Sequence, residues 1–87
     1  MIAMRLLLVS RIDNRDALVF AKTIKTEMEK DGTEVLIEHD PAKSLNTGGC
    51  SVSEADADAV IVIGGDGTIL RTIQQMGVPV PIIGINW

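Results

Sequence analysis

Val60-Ile61-Val62-Ile63-Gly64-Gly65-Asp66-Gly67-Thr68-Ile69-Leu70-Arg71 is the stretch on which the fold of this 87-residue chain turns. Four β-branched apolar residues stop at two glycines, a carboxylate, a third glycine and a hydroxyl, and a helix-compatible segment follows at once. That order describes a buried strand delivering one acidic side chain to its carboxyl end, which is where ligands bind in open α/β sheets. Glycine at 64, 65 and 67 removes the Cβ atoms that would hold a phosphate away from the peptide N–H groups.

The flanking sequence repeats the strand-then-helix pattern. Upstream, Arg5 to Ser10 is nearly continuously apolar, as expected of a strand covered on both faces. Asp13 or Asn14 can cap the helix that follows, in which Ala17, Phe20, Ala21, Ile24 and Met28 form one apolar stripe and Gly32 supplies a left-handed stop. Glu34 to His39 reads as a second strand, shorter and charged at its ends, hence nearer the sheet edge. Asp40-Pro41 opens a single helical turn through Leu45, and Asn46 to Ser53 reads as a mobile loop. Ala59–Ile63 is the third strand. Downstream of the glycines, Ile69, Leu70, Ile73 and Met76 mark a second helix ended by Gly77 and Pro79, and Pro81 to Asn86 forms a fourth strand. The fold class is therefore α/β, a Rossmann-like open parallel sheet of about four strands with flanking helices and right-handed crossovers.

Composition narrows the function. A chain this short buries only roughly 60–65% of its unfolded surface, so it forms one domain of marginal stability. Hydrophobic residues make up 46% and charged residues 23%, which excludes a disordered chain. A net charge of −4 argues against a nucleic-acid partner. The single Cys50 forms no internal disulfide, which fits a reducing cytoplasm. The start Met1 to Val9 faintly imitates a signal peptide, but Ser10, Arg11 and Asp13 interrupt it. No stretch approaches the roughly 20 apolar residues of a membrane helix. A cytoplasmic location and no membrane partner are expected.

Each candidate site residue also has an ordinary explanation. Asp66 can cap its helix by accepting a backbone N–H, although capping does not explain glycine on both sides. Gly64, Gly65 and Gly67 can simply make a tight turn. Thr68 can be a cap. Arg71 near a helix start opposes the helix dipole, a mild cost that makes sense beside an anion. Asn86, ending a strand beside that of Asp66, can be a turn residue. His39 and Cys50 are bystanders, and no spacing of Cys, His or carboxylates suggests a metal site. A P-loop is excluded because no Lys-Ser/Thr pair follows the glycines, and Leu70 replaces the last glycine of a dinucleotide fingerprint.

Gly64-Gly65-Asp66-Gly67-Thr68 followed by Ile69-Leu70-Arg71, and later Pro81-Ile82-Ile83-Gly84-Ile85-Asn86, resembles the amino-terminal domain of NAD kinases over Asp58–Asn86. The five-residue motif is shared with diacylglycerol and sphingosine kinases, and a variant ending in Ser occurs in phosphofructokinases. The Leu-Arg continuation and the Gly-x-Asn strand end favour NAD kinase. The resemblance implies ATP or polyphosphate as phosphoryl donor, NAD as acceptor at its adenosine-ribose 2′-hydroxyl, and NADP as product. It implies that Asp66 lies against that hydroxyl as proton acceptor. Gly64, Gly65, Gly67 and Thr68 would hold phosphates, Arg71 and Asn86 would contact the dinucleotide, and a divalent metal such as Mg²⁺ would ride on the nucleotide. In the family a second, β-rich domain follows. Residues 1–87 are thus expected to be the amino-terminal domain alone, inactive by itself, with exposed apolar surface that favours homo-oligomers. A lipid kinase and a non-catalytic nucleotide-binding or assembly module are the alternatives.

Overall fold

The computed structural model describes residues 4–87, so the first three residues of the signal-like start lie outside it. Strand β1 (Arg5–Ser10) leads into α1 (Arg15–Lys30), β2 (Glu34–Ile37), α2 (His39–Ser44), a single 3₁₀ turn (Val52–Glu54), β3 (Ala59–Ile63), α3 (Asp66–Gln75) and β4 (Ile82–Ile85). The four strands form one parallel sheet in the order β2-β1-β3-β4. The expected α/β class, strand number and parallel pairing are all observed, and β2 does lie at an edge.

Side-chain alternation along the strands divides the interior in two. Leu6, Leu8, Val35, Ile37, Ile61 and Ile63 face α1 and pack with Ala17 and Ala21. Leu7, Val9, Val60 and Val62 face the other way, against Ile69 of α3, Met76 just past its end and Ala55 beside the 3₁₀ turn. Asn14 caps α1, its side chain accepting from Ala17 N–H at 3.0 Å. The helix ends as the sequence predicts. Gly32 adopts φ +85°, and the N–H groups of Gly32 and Thr33 close back on Glu29 and Met28.

Two expectations need correction, and the buried face of α3 is a further finding. Strand β2 stops at Ile37, because His39 already begins α2 and its N–H donates to Cys50 O at 3.0 Å. The stretch from Asn46 to Ser53 is pinned as well as looped. Cys50 N–H donates to Ile37 O at 3.0 Å, and a Cβ on Gly49 would lie only 2.7 Å from that of Ala42. On α3, Leu70 and Ile73 are half exposed, and the buried residue is Thr72. The reason is local: Thr68 packs onto bare Gly64, which turns the 68/72 edge of the helix inward. The Thr72 hydroxyl is satisfied by donating to Thr68 O at 2.8 Å.

Candidate nucleotide-phosphate site at the start of α3

Strand order places a topological switch point between β1 and β3, since α1 leaves β1 on one face and α3 leaves β3 on the other. Ligands of open α/β sheets bind outside the carboxyl ends of the strands at such a point. The glycine turn sits there. Arg11 N–H donates to Ile63 O at 2.8 Å, and Gly64 N–H donates to Ile85 O at 3.0 Å, so the turn is anchored to its neighbours on both sides.

The three glycines have different reasons. Gly64 is a packing requirement, because an added Cβ would lie 2.7 Å from Thr68 Oγ1 and 2.9 Å from Thr68 Cβ. Gly65 and Gly67 meet nothing within 4 Å, and neither has a positive φ. Nothing among the described residues requires glycine at those two positions. A backbone that must be approached closely from outside does.

Gly65 is the helix N-cap and provides no side-chain cap. Thr68 and Ile69 N–H both turn back to Gly65 O, at 3.1 and 3.2 Å. The N–H groups of Gly65, Asp66 and Gly67 find no acceptor among the described residues. Three free donors at the positive end of a helix dipole form an anion-binding surface. Asp66 is the first helical residue and not its cap. Its carboxylate is exposed at the carboxyl edge, with no hydrogen bond or ion pair to another described residue.

Thr68 is a residue of the helix and not its cap, with its hydroxyl side turned to Gly64. Arg71 is exposed and lies in the second turn, one turn later than the dipole reasoning assumed, so that cost is smaller than expected. Asn86 directly follows β4. The Ile63–Ile85 register sets it beside the glycine turn, and it is exposed. Gly64, Gly65, Asp66, Gly67, Thr68 and Asn86 therefore share one edge, with Arg71 a turn along the helix. Among the described residues, no three His, Cys, Asp or Glu side chains are grouped as for a metal ion, and no helix is long and apolar enough to cross a membrane.

Glu38 was missed by sequence reasoning as a site residue. It follows β2, is 7% exposed, and its Oε1 is buried with no hydrogen-bond partner. Burial pushes its carboxyl above the ordinary range, helped by Asp40, while the positive charge of Arg71 pulls the other way. The available signal was parity: Glu38 alternates with Ile37 and so shares the face of Leu36, toward α3. Cys50, half-buried, has its thiol pushed up by burial and by Glu54 and Glu38, which suits an inert residue.

The family model for the ATP-NAD kinase N-terminal domain matches residues 1–87. The chain is 48% identical over 84 residues to an NAD kinase of Methanoculleus marisnigri, covering 97% of this chain and 31% of that protein. An NAD kinase of Methanoregula boonei is 49% identical over 83 residues, covering 95% and 31%. The crystal structure of an NAD kinase from Archaeoglobus fulgidus in complex with ATP superposes with a TM-score of 0.63 and 30% identity, covering 95% of this chain and 28% of that one. The chain thus spans less than a third of the length of the curated relatives it matches. On this match along its whole length, the chain belongs to the ATP-NAD kinase N-terminal domain family.

Proposed function

We propose that these residues form the phosphate-holding half of an NAD kinase site, in a polypeptide that transfers the terminal phosphoryl group of ATP or polyphosphate to the 2′-hydroxyl of NAD. The single observation that carries this reading is the trio of unpartnered N–H groups at Gly65, Asp66 and Gly67, beside two glycines that nothing internal requires. ATP in the Archaeoglobus relative and the NAD kinase names of the others supply the substrate pair.

In this reading the free amides and the α3 dipole take the nucleotide phosphates. Arg71 adds a cation one turn along the helix, and Asn86 contacts the dinucleotide from the end of β4. Asp66 faces the acceptor ribose. A carboxylate is a weak base toward a sugar hydroxyl at neutral pH, but phosphoryl transfer passes through a loose transition state. Orienting the nucleophile and receiving its proton late are then sufficient, so Asp66 acts as a positioner that ends with the proton. Magnesium ions would arrive on the nucleotide and neutralise the phosphates without a dedicated protein cage.

Apolar side chains left exposed on α3 and β4 (Leu70, Ile73 and Ile83) support a further part of the proposal, that this surface is covered by more polypeptide or by a second copy. The test is Asp66→Asn in the intact polypeptide, assayed for NADP formation and for ATP binding. Turnover should fall by about 10²–10⁴-fold, the range for removing a positioned proton acceptor, while ATP affinity is retained. Undiminished NADP formation would refute the role given to Asp66.

A further inference from the structure

The orphaned carboxylate of Glu38 lies outside the chemistry assigned to the glycine turn. Only 7% exposed, it keeps Oε1 shielded from solvent and without a hydrogen-bond partner. Such a group is retained where a partner is brought to it.

The position of α3 identifies that partner. Successive helical residues are separated by about 100°. Thr68 and Thr72 turn toward the sheet, and Ile69 packs toward β4, where a Cβ on Gly84 would meet Ile69 Cδ1 at 3.1 Å. Arg71 therefore leaves the helix on the opposite flank, toward β1 and β2. Gly67, four residues earlier, shares that flank. Helical side chains lean toward the helix start, so the Arg71 guanidinium is carried back toward the Gly67 amide. Glu38 stands on the same face of the sheet at the carboxyl edge of β2, where Arg71 attracts its carboxylate more strongly than the adjacent His39 does. Arg71 itself donates to no other described residue.

We propose that Glu38 is a positioning residue that holds the Arg71 guanidinium against the phosphates bound at the start of α3. The inference rests on the reading of that helix start as a phosphate site. Arginine has five donors in a rigid fork, enough to serve a carboxylate on one edge and a phosphate on the other. Glu38 thus acts through Arg71 and never touches the nucleotide.

The test is calorimetric titration of the intact polypeptide with ATP and, separately, with adenosine, in wild type, Glu38→Gln, Arg71→Ala and the double variant. Glu38→Gln and Arg71→Ala should each weaken ATP binding about tenfold, and the double variant should be no worse than Arg71→Ala alone, as for residues acting as one unit. Adenosine affinity should be unchanged in Glu38→Gln. Glutamine is isosteric and removes a buried charge, so unfolding is not an available explanation of lost affinity, and a thermal midpoint at or above wild type checks this. ATP binding by Glu38→Gln equal to wild type, or a loss that adds to that of Arg71→Ala, would overturn the positioning role alone. An equal loss for adenosine would overturn it by placing Glu38 on the nucleoside. ATP binding insensitive to Arg71→Ala would also overturn the positioning role, whereas no ATP binding by the wild type would instead overturn the phosphate site on which the inference stands.

Discussion

Replacing Gly64 and Gly67 separately by alanine distinguishes a glycine needed by the fold from one needed by a ligand. At Gly64 the new methyl would lie 2.7 Å from Thr68 Oγ1 and 2.9 Å from Thr68 Cβ. Real Cβ atoms do not approach that closely, and Thr68 belongs to a helix turn closed on Gly65 O, so it cannot swing aside cheaply. Overpacking of this kind costs about 1–3 kcal/mol. In a domain of this size each kcal/mol lowers the melting temperature by about 4–8 °C. At Gly67 a methyl meets open space within the first helical turn. Alanine there is neutral to stabilising, by up to about 1 kcal/mol. Ligand affinity should behave oppositely for Gly67, since its new methyl stands where phosphate oxygens approach the amides. Thermal unfolding by circular dichroism and ATP titration on the same samples provide both readouts. A Gly64→Ala protein melting with the wild type would refute the packing account. A Gly67→Ala protein with undiminished ATP affinity would show that the bare amides are not where the phosphates sit.

Three further outcomes are expected. Glu38→Gln should raise stability by about 1–2 kcal/mol at pH 7.5, because it removes the charge of a buried carboxylate whose Oε1 has no partner. The folded-state carboxyl is raised above its ordinary value, so wild-type stability recovers as the pH falls and Glu38 takes up its proton, and it is lost as the pH rises through that raised value. Urea midpoints of the two proteins should therefore converge toward pH 4, and a pH-independent gap would count against this origin. Trp87 stacks on Phe20 with ring centroids 5.3 Å apart, and its indole N–H donates at 3.1 Å to the Asn14 oxygen that also caps α1. Trp87→Ala and Asn14→Ala should each lower stability by about 1 kcal/mol. Combined, they should cost less than the sum, because they share one oxygen; strict additivity in the double variant would contradict that coupling. In the Asp66→Asn comparison, parallel losses of turnover and ATP affinity would mark Asp66 as a binding group and not a positioner of the acceptor.

Much of the architecture could be read directly from the residues. Arg5–Ser10 and Ala59–Ile63 begin and end where their apolar runs do, because both strands lie inside the sheet and are covered on both faces. The turn chemistry of Asn14 and Gly32 was equally plain, since each conformation suits few residues. Edges were harder. The end of β2 depends on Cys50 returning to pair beside it, a contact that no local pattern announces. The inward face of α3 was not legible, because a threonine on a bare glycine outweighs Leu70 and Ile73, and hydrophobicity alone ranks those the other way. Within the site, the shared location of Gly64 to Thr68 and Asn86 followed from strand order. Glu38 did not, since burial of an acid is decided by the segments that happen to cross it.

The strand order also bears on how the molecule comes together. The central strand β1 is synthesised before the other three strands of the sheet, yet one of its two neighbours is β3, and the contact between Arg5 and Asp58 joins residues 53 positions apart. Leu6, Leu7, Leu8 and Val9, all of them almost fully shielded in the finished sheet, must wait for that partner while the intervening segment emerges. Parallel pairing across such separations is slow to nucleate and leaves sticky surface uncovered meanwhile. The sheet should accordingly make the nascent polypeptide a chaperone client, with its vulnerability concentrated at β1.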